Sequence, residues 1–334
     1  MSKDVESGAS SAPIGYELAR LIYRVLVMYY GERKTQAEIG KLTGHSVAKV
    51  NRLIRLGRET GMVEITLRPL YAEAMNLEHD LIAQTGLVEA MVVPTASEDY
   101  DLNLAAVGQA AASFLLAHLK DGDTICITGG KGLSALVEGL KPDRSYEVTV
   151  VPATGLVQSR HYIDVNHVAS VMATRLGGKA YQIHAPMFAD SVEQRDVLRK
   201  VSAVREVLDK ARQATIAVVG IGSVLAPGSS YLAFGPQGGP HNSGAAVGEA
   251  VAEGELLAHL TAKDGQLVAG YAPNELLVGL TPADLRTIPF SFGIAAGPLK
   301  VGPIRSVLRG GYLKAMVTDE KTSTGVLEQS KPPR

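Results

Sequence analysis

From Pro13 the chain opens on "YELARLIYRVLVMYY", in which Leu18, Leu21, Ile22, Val25, Leu26 and Tyr29 recur at intervals of three and four. That period puts them on one side of a helix, and Gly31 supplies its stop. Thr35 follows as the N-cap of a second helix, with Glu38 three residues on completing a capping box, and the helix runs to about Leu42. "TGH" interrupts it. Ser46 caps a third helix whose Val47, Val50, Leu53 and Ile54 carry the apolar repeat and which Gly61 closes. Helices joined by so short a turn cross closely, so the first needs a small residue inside it and the turn needs a positive φ. Gly40 and Gly44 take those places. Beyond Gly61, "MVEITL" alternates like a short strand and predicts a wing-like ribbon beside the helices.

From about Asn76 the pattern changes. Short apolar runs bounded by turn residues predict strands over 87–93, 124–128, 146–153, 180–185 and 214–222. Between them, 102–119, 165–177 and 192–213 have a helical period, and "PLKVGPIRSVLRGGYLKAMVTD" reads as a helix, a Gly-Gly stop and a final strand. Such alternation predicts an α/β domain, a mostly parallel sheet covered by helices.

A chain of 334 residues exceeds one ordinary core and suits two modules. The boundaries expected are a disordered leader over 1–14, a small helical domain over 15–70 and a larger domain over 71–330. The leader, "MSKDVESGASSAP", lacks the apolar core of a secretory signal, and no run of about 18 apolar residues occurs, so a cytoplasmic protein without a membrane span is expected. Cys126, the one cysteine, excludes a disulfide framework, and the eight histidines show no ligand spacing. No metal and no cofactor is predicted.

The charge is uneven. Residues 1–70 hold 11 Lys and Arg against 7 Asp and Glu, while the rest holds 22 against 27. A small cationic front before an anionic remainder suggests that the front meets a polyanion, although a solvated basic helix face would look the same by charge alone. Spacing decides. With Val50 and Leu53 turned inward, the third helix presents Ser46, Val47, Ala48, Lys49, Asn51, Arg52 and Arg55, and Thr35 and Gln36 open the helix before it. Amide and hydroxyl groups read base edges, Arg takes guanine or phosphate, and short Val and Ala side chains permit close approach. Double-stranded operator DNA is the partner this face predicts.

In sheets of this kind, ligands sit beyond the carboxyl ends of the strands. There "TICITGGKGLSAL" places Thr128, Gly129, Gly130, Lys131 and Gly132 between a buried strand and a helix beginning near Leu133. Glycines let backbone N–H groups approach an oxyanion, the helix N-terminus adds its dipole, and Thr and Lys supply a hydroxyl and a charge. The spacing is not that of a nucleotide-binding P-loop, since Gly132 follows the lysine, and "GIGSVL" has Leu225 where a dinucleotide fingerprint needs glycine. A tight connection with no ligand would use the same residues. Thr154, Gly155, Asn166, His184, Glu249 and Lys300 could line the same rim, and the Gly- and Pro-rich loop over 235–249 could close over it.

The order of "TQAEIGKLTGHSVAKVNRLIRLGRETGMVEI", "GGKGLSAL", "VVPATG", "HVASVMATRLGG", "HAPMFADS", "AVVGIGS", "AAVGEA", "VGLTPADLRTIP" and "GGYLKAMVTDE" resembles the SorC family of sugar-binding bacterial transcriptional regulators from about residue 15 onward. The resemblance implies an N-terminal helix-turn-helix, winged-helix-like domain before a Rossmann-like domain similar to ribose-5-phosphate isomerase and glucosamine-6-phosphate deaminase. It also implies a homodimer or homotetramer whose DNA affinity answers to a sugar, polyol or phosphorylated sugar. The family's phosphate turn then falls on Thr128 to Leu133, its second loop on Thr154 and Gly155, its helix-opening Asn on Asn166, its acidic loop residue on Glu249 and its late lysine on Lys300. Two positions depart from the family: Glu249 stands where Asp is common, and Leu276 where an Arg is. A second phosphate would lose a partner there, which favours a monophosphate or an uncharged sugar or polyol. The competing reading is an isomerase or deaminase acting on such a sugar phosphate; a pure scaffold is a third.

Overall fold

The computed structural model describes residues 15–63, 71–95, 97–157, 164–223 and 252–328. The leader, most of the ribbon over 62–67, the loop over 235–249 and Glu249 lie outside them. Residue contacts divide the chain into two compact units, Met1–Leu70 and Tyr71–Arg334.

In the first unit, α1 (Tyr16–Leu26) passes into a π-helical turn over Val27–Gly31, followed by α2 (Gln36–Thr43) and α3 (Val47–Glu59). Ile22, Val25 and Leu26 of α1 meet Ile39 of α2 and Val50, Leu53 and Ile54 of α3 in one buried cluster. Leu18 of the expected stripe stays exposed in the first turn of α1. Gly57 allows the closest approach: a Cβ there would lie 2.7 Å from a methyl of Leu26 and 2.9 Å from one of Ile22. The small residue that lets α1 and α3 cross is therefore on α3.

The second unit is built from α4 (Ala72–Thr85), β1 (Glu89–Val93), α5 (Tyr100–His118), β2 (Thr124–Ile127), α6 (Lys131–Gly139), β3 (Thr149–Pro152), α7 (Val165–Leu176) and β4 (Lys179–Ala180). The chain continues through α8 (Val192–Lys200), α9 (Ser202–Arg212), β5 (Ile216–Gly222), β6 (Ala252–Leu256), β7 (His259–Ala262), α10 (Pro282–Thr287), β8 (Phe290–Ile294), α11 (Val301–Arg309), β9 (Ala315–Asp319) and α12 (Glu320–Glu328). The sheet order is β1-β9-β8-β5-β2-β3-β4. Every pair along that order is parallel. β6 and β7 form an antiparallel hairpin attached to the carboxyl end of β5. Val150, Val218, Val219, Phe292 and Val317 are fully buried, as strands covered on both faces require.

Two expected elements differ. The single helix over 192–213 breaks at Val201, whose ψ of 125° is extended, because Arg199 is turned to donate to the carbonyls of Leu277 and Gly279 while α9 packs its own stripe of Val204, Val207, Leu208 and Ala211 inward. The strand over 180–185 shortens to Lys179–Ala180. Past it, the backbone of Ile183 is held by the side chain of Asn166 and not by β3.

Candidate functional site

In the first unit the capping box forms as the spacing requires: Thr35 Oγ1 accepts from Glu38 N at 3.3 Å, and Glu38 Oε2 accepts from Thr35 N at 2.8 Å. The Thr35 backbone N–H foremost, and then the Thr35 hydroxyl, which donates to the same Glu38 oxygen at 2.8 Å, hold the Glu38 carboxyl below its ordinary pKa. Gly44 caps α2 with a φ of 69°, and Ser46 Oγ accepts from Lys49 N at 3.3 Å to start α3. Ser46, Val47, Ala48, Lys49, Asn51, Arg52 and Arg55 all stand exposed on α3. Thr35 is exposed and Gln36 half-buried at the start of α2, where an open recess also takes in Tyr29, Arg33 and Lys34. Arg58, a fourth cation of α3 after Lys49, Arg52 and Arg55, is engaged elsewhere: its Nε donates to Tyr30 Oη at 2.7 Å.

In the second unit the strand order places a change of direction between β2 and β5. From β2 the chain moves through α6 to β3, whereas β8 lies on the other side of β5. Ligands bind beyond the carboxyl ends of the strands at such a change of direction in this architecture. The turn over 128–133 sits at that point. Thr128 Oγ1 accepts from Gly220 N at 3.0 Å, tying the end of β2 to the end of β5. Gly130 adopts φ 101° and ψ 171°, so the chain enters α6 abruptly, and no side chain caps the helix. The first-turn amides of Lys131, Gly132 and Leu133 are thus open to an anion, with the helix dipole behind them. Leu133 can contribute only that amide, because its side chain is fully buried. Gly132 lies against Ile294 at the end of β8, 3.5 Å from a methyl carbon by its would-be Cβ.

Lys131 is exposed, with Nζ 3.6 Å from Asp101 Oδ1 and 5.6 Å from the ring centroid of Tyr100. That ring lies 3.2 Å from the would-be Cβ of Gly297. The N-terminus of α5 therefore stands between the turn and the Gly297–Lys300 segment. Nothing in the sequence spacing marked Tyr100 and Asp101; the N-cap at Asp99 was the available signal. Lys300 turns inward, its Nζ donating to Ile221 O at 2.8 Å. Burial lowers its pKa, and the negative charge of Glu255 acts against that shift.

The remaining rim residues divide. Thr154 is buried, and its Oγ1 has no hydrogen-bond partner among the described residues. The Gly155 amide is committed to Val278 O at 2.7 Å, and a Cβ on it would meet Pro186 O at 2.4 Å, so glycine is there for close packing. Asn166 is committed as well: Nδ2 donates to Ile183 O and Oδ1 accepts from Ile183 N, both at 2.9 Å. His184 is exposed on the segment beyond. Cys126 is fully buried, and burial pushes its thiol up to about 12, which makes it inert as a nucleophile. Among the described residues no cluster could hold a metal ion, and no helix is long and apolar enough to cross a membrane.

A parallel sheet with an uncapped helix start at its direction change, preceded in the chain by a small basic helical unit, suits a ligand-responsive regulator, and comparison with known proteins identifies which kind. The sugar-binding domain family, Sugar-bind, matches residues 70–328. The sorbitol operon regulator of Klebsiella pneumoniae is 30% identical over 316 residues, covering 92% of this chain and 98% of that protein. The erythritol catabolism regulatory protein EryD of Brucella abortus (strain 2308) is 29% identical over 312 residues, covering 92% and 96%. The crystal structure of the full-length sorbitol operon regulator SorC from Klebsiella pneumoniae superposes with a TM-score of 0.70 at 28% identity, covering 92% of this chain and 98% of that one. The chain belongs to the SorC family of sugar-binding transcriptional regulators. A regulator, not a sugar-phosphate enzyme, is the function its relatives support.

Proposed function

We propose that the first unit is a helix-turn-helix module that grips operator DNA and that the second is an effector domain controlling it. α3 enters the major groove with Ser46, Val47, Ala48, Lys49, Asn51, Arg52 and Arg55, while Thr35 and Gln36 bring the N-terminus of α2 to a phosphate. The effector lies beyond the carboxyl ends of β2 and β5: its phosphate rests on the amides and side chains of the 128–133 turn, and Thr154 and Lys300 face its hydroxyls. Glu249, the family's acidic position by resemblance, lies outside the described residues. Gly155 and Asn166 act through packing and by holding Ile183.

The observation carrying this reading is the uncapped start of α6 behind Gly130, at the change of direction between β2 and β5. Two relatives named for sugar alcohols, sorbitol and erythritol, support a polyol or its phosphate as the ligand class. In a homodimer or homotetramer, ligand biases one of two arrangements, and the spacing between recognition helices changes with it.

The test is a thermal-shift panel of sugars, polyols and their phosphates, followed by gel-shift titration with operator DNA. A true effector at about 100 times its Kd stabilises by about 2.7 kcal/mol and changes DNA retention. A panel that shifts neither property overturns the assignment. Turnover of a phosphorylated pentose or hexose by the same sample would favour the enzyme reading instead.

A further inference from the structure

The last residue of β9 ties together three chain segments that meet at the carboxyl end of the sheet. Asp319 is 1% exposed, and β9 lies between β1 and β8. Its Oδ2 accepts from Gly297 N at 3.2 Å, just beyond β8. Its Oδ1 accepts from Thr95 Oγ1 at 3.2 Å, just beyond β1, and from Thr322 N at 3.1 Å in the first turn of α12. Gly297 stands against the candidate site. The Tyr100 ring, whose centroid is 5.6 Å from Lys131 Nζ, lies 3.2 Å from the would-be Cβ of Gly297, and the inward-turned Lys300 follows three residues on. The other arm runs back along β1. Among the described residues β1 is an edge strand, and the amide of Val92 donates to Glu78 Oε1 of α4 at 2.8 Å. α4 is the first helix of the second unit, which begins at Tyr71. Ala74 and Leu81 anchor it in the core, while an open groove of about 550 Å³, lined by Leu77 and Asp80 of α4 and by Lys321 and Thr324 of α12, lies between the two helices.

We propose that Asp319 is the positioning residue that couples the candidate effector site to α4, the helix through which the second unit joins the chain of the first. The inference rests on the effector reading above and deepens it by naming the path of the signal. A ligand that draws Lys131 or Lys300 toward itself displaces the Tyr100 ring and the 297–300 segment, and the Gly297 amide moves with them. A buried carboxylate that loses one of its donors leaves an oxygen unsatisfied, so Asp319 follows Gly297 and carries Thr95 along. Thr95 moves the end of β1, and Val92 passes the movement to Glu78. Coupling of this kind requires an element with two arrangements that both sites bias. α4 meets the requirement, because the groove beside α12 leaves it room to shift. Each Asp319 oxygen faces a main-chain N–H, Thr322 on one side and Gly297 on the other. An amide in its place must turn its NH2 toward one of them, so even Asn breaks the network.

Hydrogen exchange of the full chain, read by mass spectrometry with and without saturating inorganic phosphate or the terminal phosphates of sorbitol and erythritol, tests this. In the wild type, a probe that protects the 128–133 turn also changes exchange across α4 by about fivefold or more. Thr95→Val removes the hydroxyl and keeps the side-chain shape, so it retains protection at the turn and loses the response in α4. Glu78→Gln keeps an oxygen for Val92 N and retains the α4 response, whereas Glu78→Leu loses it. Asp319→Asn loses it as well; should that variant not fold, Thr95→Val and the Glu78 pair carry the test. A purely structural role would lower protection in the free protein without separating the response of α4 from that of the turn. Protection of the turn with no change in α4 of the wild type overturns the proposal, as does an undiminished α4 response in Thr95→Val. Failure of every probe to protect the turn overturns the effector reading itself and this inference with it.

Discussion

A methyl group on Gly40 would lie 2.7 Å from the carbonyl oxygen of His45, in the turn that joins α2 to α3. Two helices joined by so short a turn cross closely and need a small residue here. The contact that enforces it is backbone of the turn, which cannot rotate aside as a side chain would. Two effects oppose each other in Gly40→Ala. Replacing a helical glycine gains about 1 kcal/mol of propensity, while overpacking against backbone costs about 1–3 kcal/mol. The clash is expected to win, lowering the stability of the first unit in a urea melt and weakening operator retention. A variant at least as stable as the wild type would mean that the turn relaxes freely.

Arg52 and Arg55 are expected to affect DNA without affecting the fold. Both are exposed, and the ion pair Arg55 makes among the described residues, 3.6 Å from Nε to Glu59 Oε1, is a surface pair of about 0–1 kcal/mol. Arg52→Ala with Arg55→Ala should leave the melting curve in place and abolish operator retention at moderate salt. Where binding can still be measured, the slope of log K against log salt should flatten by about one for each DNA phosphate that the variant no longer neutralises. A loss at one operator base with an unchanged slope would show the arginines reading bases instead.

Lys131 and Asp101 should act in opposite directions. Their 3.6 Å pair joins side chains that are 62% and 80% exposed, so screening leaves it little weight in stability. Its effect lies in binding, because an incoming phosphate competes with Asp101 for the same ammonium. Lys131→Ala is expected to weaken a phosphorylated effector about tenfold, and Asp101→Asn to strengthen it a few-fold, with neither altering the melting temperature of the free protein. Titration of both variants with the ligand found in the panel checks the sign. Equal weakening by the two would place Asp101 among the ligand's own partners.

Elements that one local rule controls are legible in the sequence. The capping box at Thr35 and Glu38, the left-handed Gly44 and the strand-to-helix turn at Gly130 are each written in two or three adjacent residues. Elements set by tertiary contacts that override local pattern are not. The β6–β7 hairpin turns through Leu257 and Ala258 at φ of 52° and 60°, a conformation that ordinarily calls for Asn-Gly, and both residues are held by burial instead. Asn166 looked like a ligand-facing polar residue because its type and place in the helix are legible, whereas its partner, the Ile183 backbone, is 17 residues away. Lys300 and Glu255 came together only through the sheet: sequence offered the lysine and gave no reason to single out the acid.

Acid sensitivity of the second unit should trace in part to His259. The ring is buried at the start of β7, with Nδ1 2.9 Å from Leu257 O, and burial foremost, aided by the charge of Arg199, lowers its pKa to about 4. The hydrogen bond to Leu257 acts the other way and does not offset it. Above pH 6.5 the ring is neutral in both folded and unfolded chains and contributes no pH dependence. As pH falls below that value the unfolded chain takes up the proton first, so stability declines, and the decline levels off once pH passes below the folded value of about 4. Its full extent is roughly 3 kcal/mol, from about 1.4 kcal/mol for each pH unit of separation. His259→Asn keeps an N–H for Leu257 O and cannot titrate, so urea melts between about pH 7 and pH 4 should fall less steeply than those of the wild type. Parallel curves for the two proteins would show that the imidazole is accommodated in its charged form and that carboxylates carry the acid response alone.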